Sequence, residues 1–510
     1  MSASITPETL ALVPVPAALE VTGGTGFAVT SATTVSGPTD ATTAALSAIA
    51  TRTGVTPVVA DGDAALTLAI TPGGAPESYR LEAASDSIRI VAADAAGLFY
   101  GVQTLAQLLT RTGDGWHVPA VIIDDAPRFA YRGVMLDVAR HFHPVATVKA
   151  YIDRAASLKF NALHLHLTDD QGWRIELHSR PELTARASGT SVGGDPGGFY
   201  TKADYREIVE YAASRHMIVV PEIDMPGHTH AVGLAYPELI EEPVLSDHIH
   251  EVVKTYGGEL PRNGTPYDGM AVGFSSLKIH SEATYDFVAD VFGELAGETP
   301  GPYLHLGGDE ALGTDPADFA AFVSRASAII ADLGKTPVAW HEAGAAAGLH
   351  DETIGQYWGF VTPTDGMDDK ARAFVRAGAQ LILSPADAIY LDMKPDADSP
   401  LGLVWANGPT SVERSYAWEP SDVIGGITDA DILGIEAPLW TETVATARDI
   451  DQLAFPRIAS AAEAGWSPAT GAHPERTWES FRARVAGLGP LWARMGVQFD
   501  ASSEIDWVTE

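Results

Sequence analysis

Acidic and aromatic residues recur directly after short apolar segments in the C-terminal three-quarters of the chain. Residues in such positions include Asp169, His228, Asp309, Glu310, Trp340, Trp358, Tyr390, Asp392, Trp440 and Glu442. Aromatic faces stack on the apolar faces of sugar rings, and carboxylates accept hydrogen bonds from neighbouring hydroxyls. Carboxyl groups that lie close together can also separate their pKa values into an acid and a base. The combination predicts acid–base chemistry on a carbohydrate.

Each of these residues, taken singly, also fits an ordinary structural role. An Asp-Glu pair after two glycines, such as Asp309 and Glu310, is typical of a helix start, where acids meet the positive end of the dipole. His228 could be a loop histidine, and tryptophans commonly fill core space. Arg132 could be a structural ion-pair partner. Recurrence at successive segment ends is harder to explain by packing, so it favours a single site.

The apolar segments alternate with helical patterns from Arg132 onward. The candidate strands are RGVMLD (132–137), ALHLHL (162–167), MIVVPEID (217–224), PYLHLGG (302–308), PVAW (337–340), TIGQYW (353–358), QLILSP (380–385) and ILGIEAPLW (432–440). Eight strands alternating with helices predict a (β/α)₈ barrel, in which residues at strand C-termini face the catalytic mouth. A doubly wound open sheet is the alternative. It is disfavoured because no glycine-rich phosphate turn follows the first strand.

The segment before the barrel has a different character. In residues 1–127, the β-rich segments AALTLAI and SYRLEAASDSIRIVAA precede an amphipathic helical segment, GLFYGVQTLAQLLTR. We predict a small α+β domain without a chemical site there, and a catalytic barrel over residues 128–510. Two long connections in the barrel, 232–280 and 386–430, follow the third and seventh strands. Loops in these positions surround a barrel's active site, so we expect both to shape it.

The charge balance excludes several classes of partner. The chain has 32 basic and 67 acidic residues and a net charge of −35. Such a field repels phosphate backbones and anionic lipid, so neither nucleic acid nor a membrane surface is expected as a partner. The N-terminus has no basic region, and its first apolar stretch is broken by prolines, so we expect a cytoplasmic protein if the chain begins here. Nothing in the sequence assigns an oligomeric state.

Cofactor and metal chemistry receive little support from the sequence. There is no cysteine, which excludes thiolate ligands and cysteine nucleophiles. His164 and His166 share one face of a strand and raise the question of a metal, together with His305. No further imidazole lies at ligand spacing, so we expect no metal and no cofactor.

At this point the motifs resemble those of the family 20 glycoside hydrolases, the β-N-acetylhexosaminidases. The matching segments are YRGVMLDVARHFHP, NALHLHLTDDQGWRIE, PEIDMPGHTHA, VGFSSL, YLHLGGDE, VAWHEA, IGQYW, YLDM and GIEAPLWTET. They occur in the family's order over about residues 128–466. The N-terminal unit also resembles the small domain that precedes the family's barrel, so the resemblance covers nearly the whole chain.

The resemblance implies a role for each matched residue. Glu310 is expected to be the general acid and base, Asp309 to hold the acetamido N–H, and Tyr390 to hold the acetamido carbonyl. The aromatic walls of the acetamido pocket are expected to be Trp340, Trp358 and Trp440. Sugar hydroxyls are expected to bind Arg132, Asp392 and Glu442. A second layer that steadies the acid is expected to contain Asp169 and His228.

The resemblance also implies substrate-assisted chemistry, in which the acetamido oxygen of the substrate is the nucleophile. The expected activity is exo-acting, retaining hydrolysis of terminal β-linked N-acetylglucosamine or N-acetylgalactosamine. Asp309 and the aromatic walls are expected to raise the pKa of Glu310. An ordinary retaining glycosidase with a protein nucleophile and a non-catalytic sugar-binding protein are the alternatives.

Two features depart from the family pattern. Family members often carry a histidine soon after the Asp-Glu pair, whereas this chain continues Ala311-Leu312-Gly313. The connection 232–280 is longer than the common form. Both departures concern the leaving-group side of the site and leave the expected chemistry unchanged.

Overall fold

The computed structural model describes residues 10–113 and 115–509. A small domain built on a sheet comes first, and a closed barrel of eight parallel strands begins at Tyr131. The prediction of a (β/α)₈ barrel preceded by an α+β domain is confirmed.

The small domain contains a seven-stranded sheet and a separate three-stranded sheet. The strands of the larger sheet, in spatial order, are Ala18–Val21, Val121–Asp125, Tyr79–Ala83, Ile88–Ala92, Leu66–Ile70, Thr34–Ser36 and Val58–Val59. The smaller sheet has the strands Phe27–Val29, Gly115–Val118 and Thr110–Thr112. Alternate residues of the central strands are buried, as expected for a sheet with one face on a core. Two helices, Thr39–Thr53 and Ala95–Leu108, complete the domain.

The barrel strands, named β1 to β8 here, match the eight predicted segments. They are β1 Tyr131–Asp137, β2 Ala162–His166, β3 Ile218–Glu222, β4 Tyr303–His305, β5 Thr336–Trp340, β6 Ile354–Tyr357, β7 Leu381–Leu383 and β8 Ile432–Leu439. Each pairs in parallel with the next, and β8 pairs with β1 to close the barrel. Nearly every strand residue is buried, because helices cover the outer face and side chains fill the inner one.

Helices alternate with these strands and also occur within the long connections. The longer ones are Val145–Ser157, Lys202–Ala213, Asp247–Tyr256, Glu282–Glu298, Pro316–Asp332, Met367–Ala377, Ala447–Ala454, Ile458–Trp466 and Trp478–Arg494. The shorter ones are Glu182–Ala187, His230–Ala235, Ala386–Ile389, Val412–Tyr416 and Pro420–Val423. None of the helices in the described part of the chain is long and apolar enough to cross a membrane.

The two long connections carry secondary structure of their own. The connection after β3 holds the helix Asp247–Tyr256, and the connection after β7 holds three short helices. In the first, a separate apolar cluster forms around Ile249, Tyr267 and Phe274. Both connections are therefore folded segments rather than structureless loops, because each contains helices and buries apolar side chains of its own.

The barrel interior is built in layers of different chemistry. Apolar side chains such as Val220 and Val338 fill the end where the strands begin. A charged layer follows, in which His164 lies between Glu222 and Glu436, 3.0 and 2.8 Å from their carboxylates. The layer at the strand C-termini is aromatic and contains Trp340, Tyr390 and Trp440. The aromatic layer at the mouth of the barrel therefore packs on a charged layer whose side chains are held by hydrogen bonds. We call this charged layer the floor of the site.

Candidate active site

The predicted site residues lie on connections at the C-terminal ends of the barrel strands, with one exception. Asp309 and Glu310 follow β4, Trp340 ends β5, and Trp358 follows β6. Tyr390 and Asp392 follow β7, and Trp440 and Glu442 follow β8. Asp169 and His228 follow β2 and β3. Parallel strands place all their C-termini at one end of a barrel, so residues far apart in sequence meet there.

The turn that carries Glu310 has an unusual backbone. Gly307 and Gly308 have φ values of +72° and +99°, and Glu310 itself has a φ of +41°. A Cβ atom on Gly307 would lie 1.8 Å from Oδ1 of Asp224, so only glycine fits there. The same oxygen accepts a hydrogen bond of 2.9 Å from the backbone N–H of Gly308. The positive φ of a non-glycine residue costs of order 1–3 kcal/mol, and such strain clusters at functional sites.

A chain of polar contacts links the Asp309–Glu310 pair to the floor of the site. Nε2 of His228 lies 3.9 Å from a carboxylate oxygen of Asp309 and 3.9 Å from one of Glu310. Its Nδ1 lies 3.2 Å from Asp169, which in turn lies 2.9 Å from Nε2 of His166. His228, Asp169 and His166 are all buried. This series of contacts therefore supports the Asp309–Glu310 pair from inside the barrel.

The carboxyl groups in this series of contacts surround the imidazole of His228 and favour its charged form. Burial alone lowers the pKa of His228, but the carboxylates of Asp169, Asp224 and Asp309 outweigh burial and hold the pKa well above its usual value. These carboxyl groups therefore favour the imidazolium form of His228. The cation lies between Asp169 on one side and the Asp309–Glu310 pair on the other.

Glu310 is poised to be protonated near neutral pH. Partial desolvation of the carboxyl, and after it the adjacent carboxylate of Asp309, raise the pKa of Glu310 to about 7, against the opposing effects of His228 and Arg140. This agrees with the expectation from the sequence. Its side chain is 37 % exposed, so a bound molecule can reach the carboxyl. A carboxyl of this kind can donate a proton and later accept one.

An aromatic enclosure stands beside the acidic pair. The rings of Trp340 and Trp440 are 6.1 Å apart, and Tyr390 lies 6.3 Å from Trp440. Trp358, the third predicted wall, packs against the same cluster from a partly exposed position. The indole N–H groups of Trp340 and Trp358 donate to Glu222 and Glu342, at 2.8 and 3.0 Å. The three indoles and the phenol form one cluster, whose ring faces and polar edges suit a small apolar group with one polar edge.

Several buried polar atoms at this mouth have no hydrogen-bond partner within the described protein. They are both carboxylate oxygens of Asp392, Oε2 of Glu442 and Nε2 of His228. The carboxyl groups of Asp224 and Asp309 contact each other, and this contact helps to raise the pKa of Asp224. Buried polar groups without partners are uncommon and call for an explanation. Hydroxyl and amide groups of a bound sugar would satisfy them.

The structure contradicts the predicted role of Arg132. This residue lies near the start of β1, about 16 Å along the strand from its C-terminal end at roughly 3.3 Å per residue. Its guanidinium donates to the backbone carbonyls of Lys159 and Phe129 and pairs with Glu77 of the small domain at 2.9 Å. Arg132 is 1 % exposed. It therefore joins the two domains and is not a sugar-binding residue.

Arg140 takes the position that was expected of Arg132. It follows the C-terminal end of β1, lies 2.8 Å from the carboxylate of Asp169 and covers the ring of Trp440 at 4.8 Å. Sequence reasoning missed it, although the strand rule that located the other residues applies to it. The motif RGVMLDVAR offers two arginines, and only the second follows the strand.

Three further residues at the mouth were not predicted as site residues. Trp405 lies 6.0 Å from Trp358 and 5.8 Å from Tyr390 and is 45 % exposed. Asp224 approaches Gly307, and Glu342 accepts from Trp358. Asp224 and Glu342 follow strands and could have been found by that rule. Trp405 lies deep inside the long connection after β7, where no periodic pattern marks it.

His164 forms ion pairs with Glu222 and Glu436 and is therefore poorly placed to bind a metal. Atoms of His164, Glu222 and His305 lie within 4.8 Å of one another. However, both ring nitrogens of His164 already contact carboxylates. Burial lowers the pKa of His164, but Glu436 and Glu222 outweigh it and raise the pKa to about 10. A protonated imidazole has no lone pair to offer a metal.

Comparisons with known proteins agree with this geometry. The model described as "Glycosyl hydrolase family 20, catalytic domain" matches residues 129–469, and "Glycosyl hydrolase family 20, domain 2" matches residues 9–126. A β-N-acetylhexosaminidase of Cellulomonas fimi is 40 % identical over 98 % of this chain and 97 % of its own length.

Solved structures extend the likeness to three dimensions. A family 20 β-N-acetylglucosaminidase is 67 % identical, with a TM-score of 0.90 over 98 % of this chain and 100 % of that one. A mutant Streptomyces plicatus β-hexosaminidase, solved in complex with its product N-acetylglucosamine, is 42 % identical, with a TM-score of 0.88 over 99 % of both chains. Together with the two family models, these matches span both domains. The chain therefore belongs to glycosyl hydrolase family 20 and is a glycoside hydrolase of the β-N-acetylhexosaminidase type.

Proposed function

We propose that this enzyme removes terminal, non-reducing β-linked N-acetylhexosamine by retaining, substrate-assisted catalysis. The observation that carries the proposal is the position of Asp309. Its carboxylate lies within 4.8 Å of that of Glu310 and 3.9 Å from Nε2 of His228. A carboxylate there is suited to hold the N–H of an acetamido group while Glu310 acts on the glycosidic oxygen.

In the first step, the acetamido oxygen attacks the anomeric carbon and the bond to the leaving oxygen breaks. Glu310, protonated near neutral pH, gives its proton to that oxygen. The product is an oxazolinium ion, whose positive charge is stabilised by Asp309. Because Asp309 and its surroundings are fixed before the reaction, this stabilisation requires little reorganisation.

In the second step, water attacks the anomeric carbon from the side that the leaving group vacated. Glu310, now ionised, accepts a proton from that water, and the oxazolinium ring opens to restore the acetamido group. The two inversions give net retention of configuration. Trp340, Trp358, Trp440 and Tyr390 enclose the acetamido methyl, while Asp392, Glu442 and Arg140 are available to ring hydroxyls.

The substrate class also has support from the relatives. The Streptomyces plicatus enzyme holds N-acetylglucosamine as its product, and the 67 % identical structure is described as a β-N-acetylglucosaminidase. We therefore place β-N-acetylglucosaminides first among the substrates. A panel of β-N-acetylglucosaminides, β-N-acetylgalactosaminides and chitobiose tests the preference between epimers.

The mechanism is tested by changing the nucleophile that the substrate carries. Replacing the acetamido group by hydroxyl should leave a substrate nearly inert, and successive fluorination of the acetyl group should slow turnover stepwise. A thiazoline analogue should bind far more tightly than substrate, because it resembles the high-energy species. A sugar covalently attached to any enzyme carboxylate after treatment with a 2-deoxy-2-fluoro glycoside would establish a protein nucleophile instead.

A further inference from the structure

Glu342 is a carboxyl group at the site to which the chemistry above gives no role. It directly follows the 3₁₀ turn's first residue, His341, just beyond the end of β5. Its Oε2 accepts a hydrogen bond of 3.0 Å from the indole N–H of Trp358, and a fifth of its side chain is exposed. It therefore contacts one wall of the aromatic enclosure.

The three wall indoles are not held equally well. Trp340 is fully buried and donates to Glu222, and Trp440 is 8 % exposed beneath the guanidinium of Arg140. Trp358 is only partly buried and lies on the connection after β6. Packing alone thus fixes Trp358 least, and its orientation depends more on its polar contact.

The surroundings of Trp358 leave Glu342 as the acceptor of its indole N–H. The ring of His341 lies 5.3 Å from the indole, and its Nδ1 accepts from the backbone N–H of Trp358 at 3.4 Å. On its other side Trp358 meets Trp405, whose ring is 6.0 Å away. Neither neighbour offers an oxygen to the indole, so the hydrogen bond to Glu342 sets the plane of the ring.

We propose that Glu342 is a positioning residue that fixes the plane of the Trp358 indole and so limits the length of the acyl group that the pocket accepts. The inference rests on the proposed function, because it takes the enclosure to be the acetamido pocket. A wall held in one orientation admits an acetyl group and excludes longer acyl groups. A wall free to rotate admits both and binds acetyl less well.

The protonation of Glu342 fits this role. Burial, and after it the carboxylate of Asp309, raise the pKa of Glu342 to about 8. Burial also lowers the pKa of His341 to about 3, so that ring carries no counter-charge. A neutral carboxyl still accepts from the indole through its carbonyl oxygen. It does so without adding a second negative charge near Asp309.

The test compares substrates that differ only in the N-acyl chain. Aryl β-glucosaminides with N-acetyl, N-propionyl and N-butyryl groups are given to the wild type and to Glu342→Leu, Glu342→Gln, Trp358→Phe and the double variant Glu342→Leu/Trp358→Phe. Leucine has a similar size but no acceptor, glutamine keeps an acceptor, and phenylalanine keeps a ring but no N–H. The exposed Glu352, just before β6, supplies the matched control Glu352→Gln.

Glu342→Leu should raise KM for the N-acetyl substrate and narrow the preference for acetyl over butyryl by about tenfold, the size of effect that one or two methylenes have in a fitted pocket. In Glu342→Gln the preference for acetyl over butyryl should stay within about threefold of wild type, because glutamine keeps an acceptor for the indole N–H. The control Glu352→Gln should keep the same preference, because it leaves Glu342 in place. The double variant should resemble Trp358→Phe, because both changes remove the same hydrogen bond.

An unchanged acyl preference in a folded Glu342→Leu variant would overturn the inference, as would fully additive effects in the double variant. If Glu342→Leu does not fold, Trp358→Phe removes the bond from the other side, and an unchanged acyl preference there has the same meaning. A wild type that cleaves no N-acetylglucosaminide contradicts the proposed function itself, which keeps the two failures apart.

Discussion

Nε2 of His228 lies 3.9 Å from Oε2 of Glu310, and the two residues come from the connections after β3 and β4. The distance is longer than a hydrogen bond, so the histidine acts on the carboxyl mainly through its charge. Asp169, 3.2 Å away on the other side, keeps that charge in place. The acid is thereby prevented from acquiring a still higher pKa, which burial and Asp309 would otherwise impose.

Glu310→Gln should abolish most turnover of substrates with poor leaving groups. Loss of a general acid costs about 10²–10⁴-fold in rate. Activated aryl leaving groups need little protonation, so their first step should suffer less. Rates measured on chitobiose and on a dinitrophenyl glycoside give the comparison. Small and equal losses on both would remove Glu310 from the role of acid.

Activity should fall on the alkaline side of neutrality. Glu310 must be protonated in the first step, and its pKa is about 7, so kcat/KM should decline tenfold per pH unit well above that value. Glu342, with a pKa of about 8, is the other carboxyl to consider. A Glu342→Gln variant should keep the decline and its midpoint near pH 7. Loss of the decline in that variant would assign it to Glu342.

Asp309→Asn should lower kcat strongly. A carboxylate opposite a developing positive charge is replaced by a neutral amide, and losses of about 10²–10³-fold follow from removing one such interaction. The pKa of Glu310 should also fall, because Asp309 is one cause of its elevation. The alkaline decline of the residual activity should accordingly begin at lower pH. A variant with an unshifted pH profile and near-normal kcat contradicts both roles.

The two arginines of the first barrel segment should behave differently. Arg132→Ala breaks a buried pair with Glu77 and should cost about 3–5 kcal/mol in the free energy of unfolding, while the folded fraction keeps its kcat. Arg140→Ala should lower kcat/KM of folded enzyme by about 10²-fold, because Asp169 and Trp440 lose the group that fixes them. Denaturant unfolding and kinetics at low temperature separate the two effects. Lost activity in a fully folded Arg132→Ala would restore the original prediction.

Trp440→Ala should remove one wall of the aromatic enclosure. A buried aromatic side chain contributes a few kcal/mol to binding. The loss in kcat/KM should therefore correspond to an increase of roughly 2–4 kcal/mol in the activation free energy. The loss should be smaller for a substrate without the acetyl methyl, which has less to gain from the wall. Circular dichroism of the variant serves as the control for folding. Normal kinetics in a folded variant would place Trp440 outside the pocket.

The succession of strands and helices could be predicted from the sequence, because local hydrophobic pattern specifies it. All eight predicted barrel segments contain the observed strand or overlap it, since buried parallel strands appear as short apolar runs between helical repeats. The same rule identified the acidic and aromatic residues at strand ends. The family resemblance then supplied an expected role for each of them.

Only the tertiary structure decided which of these residues meet. Arg132 and Arg140 are eight positions apart in one motif and lie near opposite ends of the same strand. Arg132 therefore lies at the domain interface, whereas Arg140 lies at the mouth of the barrel. Trp405 reaches the enclosure from a long connection whose path no local pattern specifies. The pKa values of Glu310 and Glu342 likewise depend on burial and on neighbours from other strands. Local sequence determines which segments form strands, whereas the closing of the barrel determines which side chains share one low-dielectric space.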